Sequence, residues 1–348
     1  MALVMMQGHV FDALVSPVSR ADPLYLLQVT LHGSTAPGFL FASGFVAGLP
    51  RAPLSLTASV RRARRLLFVL AVGYAIHLPY FSAWKTAISA TRAEKAALFA
   101  CDALQVIAVT QLAVLVLQWI SGRRWAPVAA ALTAVVLIAG PGVWASGVAG
   151  RLPLPLGAYL DMSVAPSQFP IFPFASFVLA GTVAGAALGR QDPSTRRRRG
   201  LIGGVGLIAA GAIVSVPLRA VVDFWGVSPA YALIRIGALL LILLGVEALS
   251  RRTQAVRPLA LLGHETLLVY VLHLLMLYGG VVGTSPLSRH FGALGFVAAT
   301  GVLLMMLPVV FAAAWAWHRF KAWSPHGASL VLLFLGVAFA YELMTRPW

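Results

Sequence analysis

The residues of this chain that could do chemistry are titratable side chains standing in apolar surroundings. His9 and Asp12 lie three apart in MALVMMQGHVFDALV, on one face of any helix formed there. His32 precedes Gly33, Ser34 and Pro37 in LHGSTAPGFLFASGF. Asp102 and Gln105 repeat the three-residue spacing in CDALQVIAVTQL, and Arg235 stands four residues after Tyr231. Thr266, Tyr270 and His273 fall at i, i+4 and i+7, one polar stripe in LLGHETLLVYVLHLLML. An imidazole titrates near neutrality, so beside a carboxylate it can take up and release a proton, and a buried arginine can hold an anion. Ionisable groups in apolar spans are costly, which makes each one a candidate.

Each also has a structural reading. Asp12 can pair with Arg20, and Asp102 can cap the helix it precedes. Arg235 can neutralise Asp102 or Asp223, and His273 can hydrogen-bond between helices. His77, followed by Leu78 and Pro79, is expected to pack, and His290, His318 and His326 to sit solvated in loops. The eight histidines show no HxxxH or HExxH spacing, and Cys101 is the single cysteine. No metal site and no disulfide is expected.

The elements that must position these groups are membrane helices. Hydrophobic residues make up 60% of the 348 and charged residues 10%, where a soluble domain carries roughly a quarter charged. Mean hydropathy is +0.88. The composition implies an all-α, polytopic integral membrane protein, a single transmembrane domain over 1–348. Apolar runs bounded by Pro, Gly or charge predict eleven spans, near 1–16, 34–49, 66–84, 100–120, 127–145, 169–188, 201–219, 229–249, 259–280, 293–317 and 327–345. Sixteen helical residues cover about 24 Å, short of the roughly 30 Å hydrocarbon core. The first turns of that helix, and a basic anchor, are therefore expected upstream.

With the N-terminus in the cytoplasm, the cytoplasmic connections hold 17 Lys and Arg, Arg51 and Arg257 among them, and the opposite side holds 8. The positive-inside rule thus places the N-terminus in the cytoplasm and the protein in the cell (inner) membrane. RRARR at 61–65 and RRRR at 196–199 then read as topological anchors touching anionic lipid. A second reading has them draw a polyanionic cosubstrate to the cytoplasmic mouth. The net charge of +16 does not point to nucleic acid, because the runs sit on membrane loops. On this topology His9, Asp12, His32, Asp102, Arg235 and His273 all fall in the outer half of the bilayer. Glycine at every fourth position of GTVAGAALG (181–189) predicts close helix packing. GGVGLIA (203–209) lies in an apolar span without a preceding strand, and is not a dinucleotide loop.

Five segments taken in order carry a resemblance: MALVMMQGHVFDAL, LHGSTAPGFLFASGF, DALQVIAVTQL, FPIFPFASFVLAGTVAGAALG and LLGHETLLVYVLHLLMLYG. Together they resemble bacterial membrane acyltransferases, most nearly the heparan-alpha-glucosaminide N-acetyltransferase catalytic-domain-like family, over residues 1 to about 280. The resemblance implies transfer of an acyl group, acetyl above all, from cytoplasmic acetyl-CoA or another acyl-CoA to an extracytoplasmic hydroxyl or amino acceptor such as a glycan. By position His32 resembles that family's catalytic histidine. His9, His273 and Asp102 join it as catalytic candidates, and Asp12, Arg235, Tyr270 and Gln105 as substrate-binding ones. The Arg-Gly pair expected ahead of the first span is absent. Acyl transfer needs a base for the acceptor's proton, or a ring that itself carries the acyl group, and the sequence leaves both open.

The competing reading is a proton-coupled secondary transporter, in which His and Asp relay protons and Arg235 binds a small anionic substrate. Transporters of that kind often show repeated halves, and no internal symmetry is visible in this sequence.

Overall fold

The first helix, α1 (Ala2–Leu14), is followed by α2 (Pro23–His32), α3 (Thr35–Gly48) and α4 (Leu56–Ile76) in a computed structural model of the chain. Short helices α5 (Ala83–Ser89) and α6 (Arg92–Leu98) lead to α7 (Ala103–Ser121) and α8 (Trp125–Ala145). After the single turn α9 (Leu154–Gly157) come α10 (Ile171–Leu188), α11 (Pro193–Leu218) and α12 (Pro229–Arg252). The chain closes with α13 (Arg257–His264), α14 (Thr266–Tyr278), α15 (Phe296–Trp323) and α16 (Pro325–Thr345). The structure describes residues 1–50, 55–220, 222–254, 257–280 and 283–346. Arg51 and the Arg257 side chain, counted above among the basic residues, lie outside what is described.

The protein is an all-α polytopic membrane protein. Among the described residues six helical stretches are long and apolar enough to cross a bilayer: Ala103–Ala145, α10, α11, α12, α15 and α16, with a seventh if α13 and α14, bent by 86°, form one broken span. The 43-residue stretch is two helices, α7 and α8, divided by a 3-10 turn at Gly122–Arg124 where Gly122 has φ +49°. A straight helix of that length would run about 65 Å, twice a hydrocarbon core.

A helix, or for 259–280 a pair, stands at each of the eleven expected places; with α7 and α8 counted separately and the bent pair as one, the apolar stretches just named fill eight of them, and α1, α3 and α4 fall short. The reasons are local. Helices α1 and α3 have 13 and 14 residues, about 20 Å each. The 21 residues of α4 include Arg61, Arg62, Arg64 and Arg65.

That last point corrects the reading of the arginine runs as loops. Ser55 caps α4 by accepting from the Ala58 N–H at 3.2 Å, eleven residues before the apolar run begins. Asp192 caps α11 by accepting from the Ser194 and Thr195 N–H groups, both at 3.0 Å, with Pro193 in the first turn. The Ser194 hydroxyl and these amides hold the Asp192 carboxyl below the usual carboxylate range. Both runs are therefore helical. Capping residues start a helix where the backbone N–H groups are satisfied, not where hydropathy rises.

The chain forms two compact units. The larger, residues 36–79 and 89–248, is built on glycine. A Cβ at Gly181 would meet the Phe41 carbonyl of α3, and one at Gly185 the Phe45 carbonyl. Gly44 and Gly48 of α3 meet the Val178 and Thr182 carbonyls of α10 in return. Two backbones thus touch along four glycines, as the spacing of GTVAGAALG predicts. Gly204 of α11 and Gly237 of α12 do the same for that pair, which places GGVGLIA within a helix contact. The apolar core of this unit includes Leu40, Phe41, Val106, Phe177, Val178, Ile236 and Cys101. Cys101 is fully buried. Its N–H donates to Ser167 Oγ at 2.9 Å, and its carbonyl accepts from the Phe169 N–H at 2.9 Å.

The other unit comprises residues 1–35, 80–88 and 249–348. Here α1 packs on α2, α14 and α15, with Phe11 against Phe296 at 4.9 Å between ring centroids. The break between α13 and α14 falls at Glu265, only 4% exposed. Its carboxylate accepts from Lys321 Nζ at 2.6 Å and lies 2.8 Å from His318 Nδ1, both on α15. His318, expected in a loop, is therefore a helical residue held by a buried carboxylate. Thr266 Oγ1 donates to the Gly263 carbonyl at 2.6 Å, so this member of the α14 stripe secures the break.

Candidate functional site

Helices α1, α2 and α14 bring five of the candidate side chains together within one unit. His9 and Asp12 project from the same face of α1, as their spacing requires. His273 comes from α14, fully buried, and its Nδ1 lies 2.7 Å from the Val269 carbonyl one turn earlier. A carbonyl only accepts, so Nδ1 of His273 carries the proton, and Nε2 of the neutral ring is an acceptor. His9 Nδ1 stands 2.7 Å from that Nε2 and must therefore donate. The two rings lie nearly parallel, 8° apart, with centroids 5.0 Å apart. In the neutral pair His9 Nε2 is then the open basic nitrogen. Tyr270, also on α14, sets its ring edge-on to both, 6.5 Å from His9 and 5.8 Å from His273.

His32, the last residue of α2, faces this pair from the other side, 6.0 Å from the His9 ring and nearly perpendicular to it. Its Nε2 is 3.5 Å from Asp12 Oδ2, an ion-pair distance when the ring is protonated. Its Nδ1 is buried and has no hydrogen-bond partner among the described residues. The ring lies over Gly8 of α1, where a Cβ would run into Nδ1, Cε1 and Cγ. Any side chain at position 8 would displace the histidine. Asp12 also receives the Tyr25 hydroxyl at 3.3 Å. Arg20, expected to pair with its carboxylate, donates to the main-chain carbonyl of Asp12 at 2.7 Å instead. The carboxylate is thereby left facing His32 and Tyr25.

Sequence reasoning passed over the residues that complete this face. Tyr25, Gln28 and His32 fall at i, i+3 and i+7 of PLYLLQVTLH, the spacing that singled out the stripe on α14. Gln28 is 4% exposed and Thr35 2%. Neither the Gln28 amide nor the Thr35 hydroxyl has a partner among the described residues. Buried polar groups are normally hydrogen-bonded, so three orphaned polar side chains close to one another in sequence at the end of α2 and start of α3 are a feature to explain. Pro37 lies in the first turn of α3, where its missing N–H removes no helical bond.

The other candidates belong to the larger unit. Asp102 stands at the N-cap of α7 but makes no side-chain cap hydrogen bond. Its Oδ2 lies 2.9 Å from His77 Nε2. Gln105 Nε2 is 3.2 Å from His77 Nδ1, which is also 3.1 Å from the Gly73 carbonyl. His77, read from the sequence as a packing residue, is the centre of a partly buried polar cluster, because α4 ends one turn past Gly73 and turns the ring toward α7. Asp102 Oδ1 and Gln105 Oε1 are buried without partners among the described residues. Arg235 lays its guanidinium over Tyr231, 4.6 Å from the ring centroid. Among the described residues no three His, Cys, Asp or Glu are placed to hold a metal ion.

Three imidazoles and a carboxylate on a polar, partly buried face can accept, hold and release protons while shielding a reacting group from water. That is equipment for group transfer or for proton relay, and comparison with known proteins separates the two. No curated protein and no protein of solved structure matches the chain. A family model described as an acyltransferase domain matches residues 1–345, nearly its whole length, and the chain therefore belongs to the acyltransferase-domain family.

Proposed function

We propose that His32 is the general base of a membrane acyltransferase. It removes the proton from an acceptor hydroxyl or amine as the acyl carbon is attacked. Asp12, 3.5 Å from Nε2, orients the ring and stabilises the imidazolium that forms. His9, fixed by His273, presents a second basic nitrogen to the same space, and Tyr270 walls it. Gln28 and Thr35 supply the polar groups that orient the acceptor. The observation carrying this reading is the convergence of Asp12, His32, His9 and His273 from three helices within one unit of a chain of the acyltransferase family. Family membership favours transfer over transport. His77 with Asp102 and Gln105 forms a second polar cluster, to which this reading assigns no step.

The narrower resemblance to the heparan-alpha-glucosaminide N-acetyltransferase-like group supports an acyl-CoA donor, an acetyl group and a glycan acceptor. The distribution of basic residues supports the cytoplasmic membrane with the N-terminus inside. The test has two arms. Detergent-purified protein is melted against acetyl-CoA, with free CoA and ATP as controls. At a hundred times its dissociation constant a bound donor contributes about 2.7 kcal/mol, a readable shift. Label transfer from acetyl-CoA to membrane glycans is then compared for wild type and His32→Ala. The variant is expected to melt like the parent and lose transfer. Retained transfer would remove His32 as the base, and stabilisation by ATP equal to that by acetyl-CoA would remove the donor assignment.

A further inference from the structure

In the same unit as the histidines, a cavity of about 390 Å³ is lined by Tyr80, Phe81, Ser82, Lys85, Tyr278, Thr284 and Arg346, with Gly280 and Gly283. Its walls come from three places. Tyr80 and Phe81 both have positive φ, 60° and 49°, in the turn before α5. Gly279 pairs with Thr284 and Gly280 with Gly283 as two short antiparallel strands, and a Cβ at Gly280 would sit 3.8 Å from Phe81. Arg346 follows directly on α16.

The charges are one-sided. Lys85 and Arg346 are the two ionised side chains of the lining, and both are cations. Lys85 Nζ lies over the Tyr80 ring, 4.6 Å from its centroid, which holds the ammonium at the wall. Arg346 Nε is 3.8 Å from Glu342 Oε1, the outer limit of an ion pair. Its Nη1 is buried with no hydrogen-bond partner among the described residues. A buried guanidinium donor without an acceptor is among the most costly polar defects a fold can carry. With the Tyr278 hydroxyl, the Ser82 and Thr284 hydroxyls and a second cation on the same wall, the complement that satisfies it is an oxyanion.

We propose that Lys85 and Arg346 form a subsite for an anionic group of the acceptor, a carboxylate, phosphate or sulfate. The assignment to the acceptor rests on the acyltransferase reading and on its topology, by which Lys85 and Arg346 lie on the extracytoplasmic side and the lining residues of the third and ninth spans at the outer ends of those spans. The acceptor is then an acidic sugar or a lipid-linked one, and the shared chemistry is the oxyanion.

The full-length protein in neutral detergent is melted against inorganic phosphate, sulfate and glucuronate, with chloride and glucose at matched ionic strength. The oxyanions are expected to raise the melting temperature where chloride and glucose do not. Lys85→Met and Arg346→Met are each expected to weaken that binding about tenfold or more, and Lys85→Arg to keep it. Equal effects of glucose and glucuronate, or unchanged binding in both Met variants, would overturn the subsite. Nanodiscs of phosphatidylcholine with and without phosphatidylglycerol separate the sources. Loss of the glucuronate shift in the anionic discs identifies a lipid headgroup as the natural occupant, and its persistence identifies a soluble or glycan acid. None of these measurements requires transfer. Anion binding without transfer would thus count against the acyltransferase reading alone, and transfer without anion binding against the subsite alone.

Discussion

At position 8 the chain places a glycine where α1 passes under the imidazole of His32, and the ring occupies the space a side chain would fill. This makes Gly8 a probe of the base's position that leaves its chemistry intact. Alanine favours the helix by about 1 kcal/mol over glycine, so Gly8→Ala should not unfold α1. It should push the ring off Asp12, and a shift of that size in a reacting group lowers rates by about a hundredfold. The expected result is a steep fall in transfer at nearly unchanged melting temperature. Equal losses of both would mean that Gly8 serves packing alone. The residue scale is also where the sequence was most misleading. His9, Asp12 and His273 stand out as polar residues in apolar runs, and the structure brings them together. Nothing in the sequence separates His77 from an ordinary packed histidine, because what distinguishes it is Asp102 twenty-five residues away. Gln28 carries a helical spacing with His32 that could have been read, but an uncharged amide in PLYLLQVTLH does not announce that it is 4% exposed.

Helix α3 meets α10 through Gly44, Gly48, Gly181 and Gly185, backbone against backbone. At such a crossing a side chain has no route of escape, since the atoms it meets are carbonyls and not the ends of flexible chains. Gly185→Leu should separate the helices and cost about 1–3 kcal/mol, the usual penalty of overpacking. A lower melting temperature in detergent checks this, and Gly206→Leu is the control, because nothing lies within 4 Å of a Cβ there. This contact was legible beforehand on one side only. The four-residue period of GTVAGAALG predicts close approach, but the partner helix cannot be named without the fold. The helix starts were less legible. Ser55 and Asp192 begin α4 and α11 several residues before the apolar runs, and a span drawn from hydropathy misses turns that lie in polar surroundings. The 86° break at Glu265 was equally hidden, since Lys321 and His318, which hold its carboxylate, come from another helix.

Across the whole molecule, the distribution of charge is the feature that bears on orientation. Arg196–Arg199 lie in the first turns of α11, at the positive end of the helix dipole, where cations are locally unfavourable. Arg196 meets that with Glu247, at 2.9 Å. A run kept in such a place is better explained by anchoring than by helix stability, and neutralising Arg197, Arg198 and Arg199 should shift membrane orientation or expression before it changes catalytic rate. A rise in the Michaelis constant for acetyl-CoA at unchanged orientation would instead assign the run to donor capture. The molecule-level reading from composition, an all-α membrane protein, agrees with the structure. The two differ in how many helices are long and apolar enough to cross, because α1 and α3 have 13 and 14 residues and α4 carries four arginines.

The orientation experiment is made simple by the one sulfhydryl in the chain. Cys101 is sealed in the apolar core, its main chain pinned by Ser167 and Phe169, and no water-borne maleimide should reach it while the protein is folded. The natural protein thus behaves as a silent background for site-directed labelling. A cysteine introduced at an exposed position of any connection reports which side of the membrane it faces, with no need to rebuild the interior. Labelling of Cys101 itself would be the signal that the fold has opened.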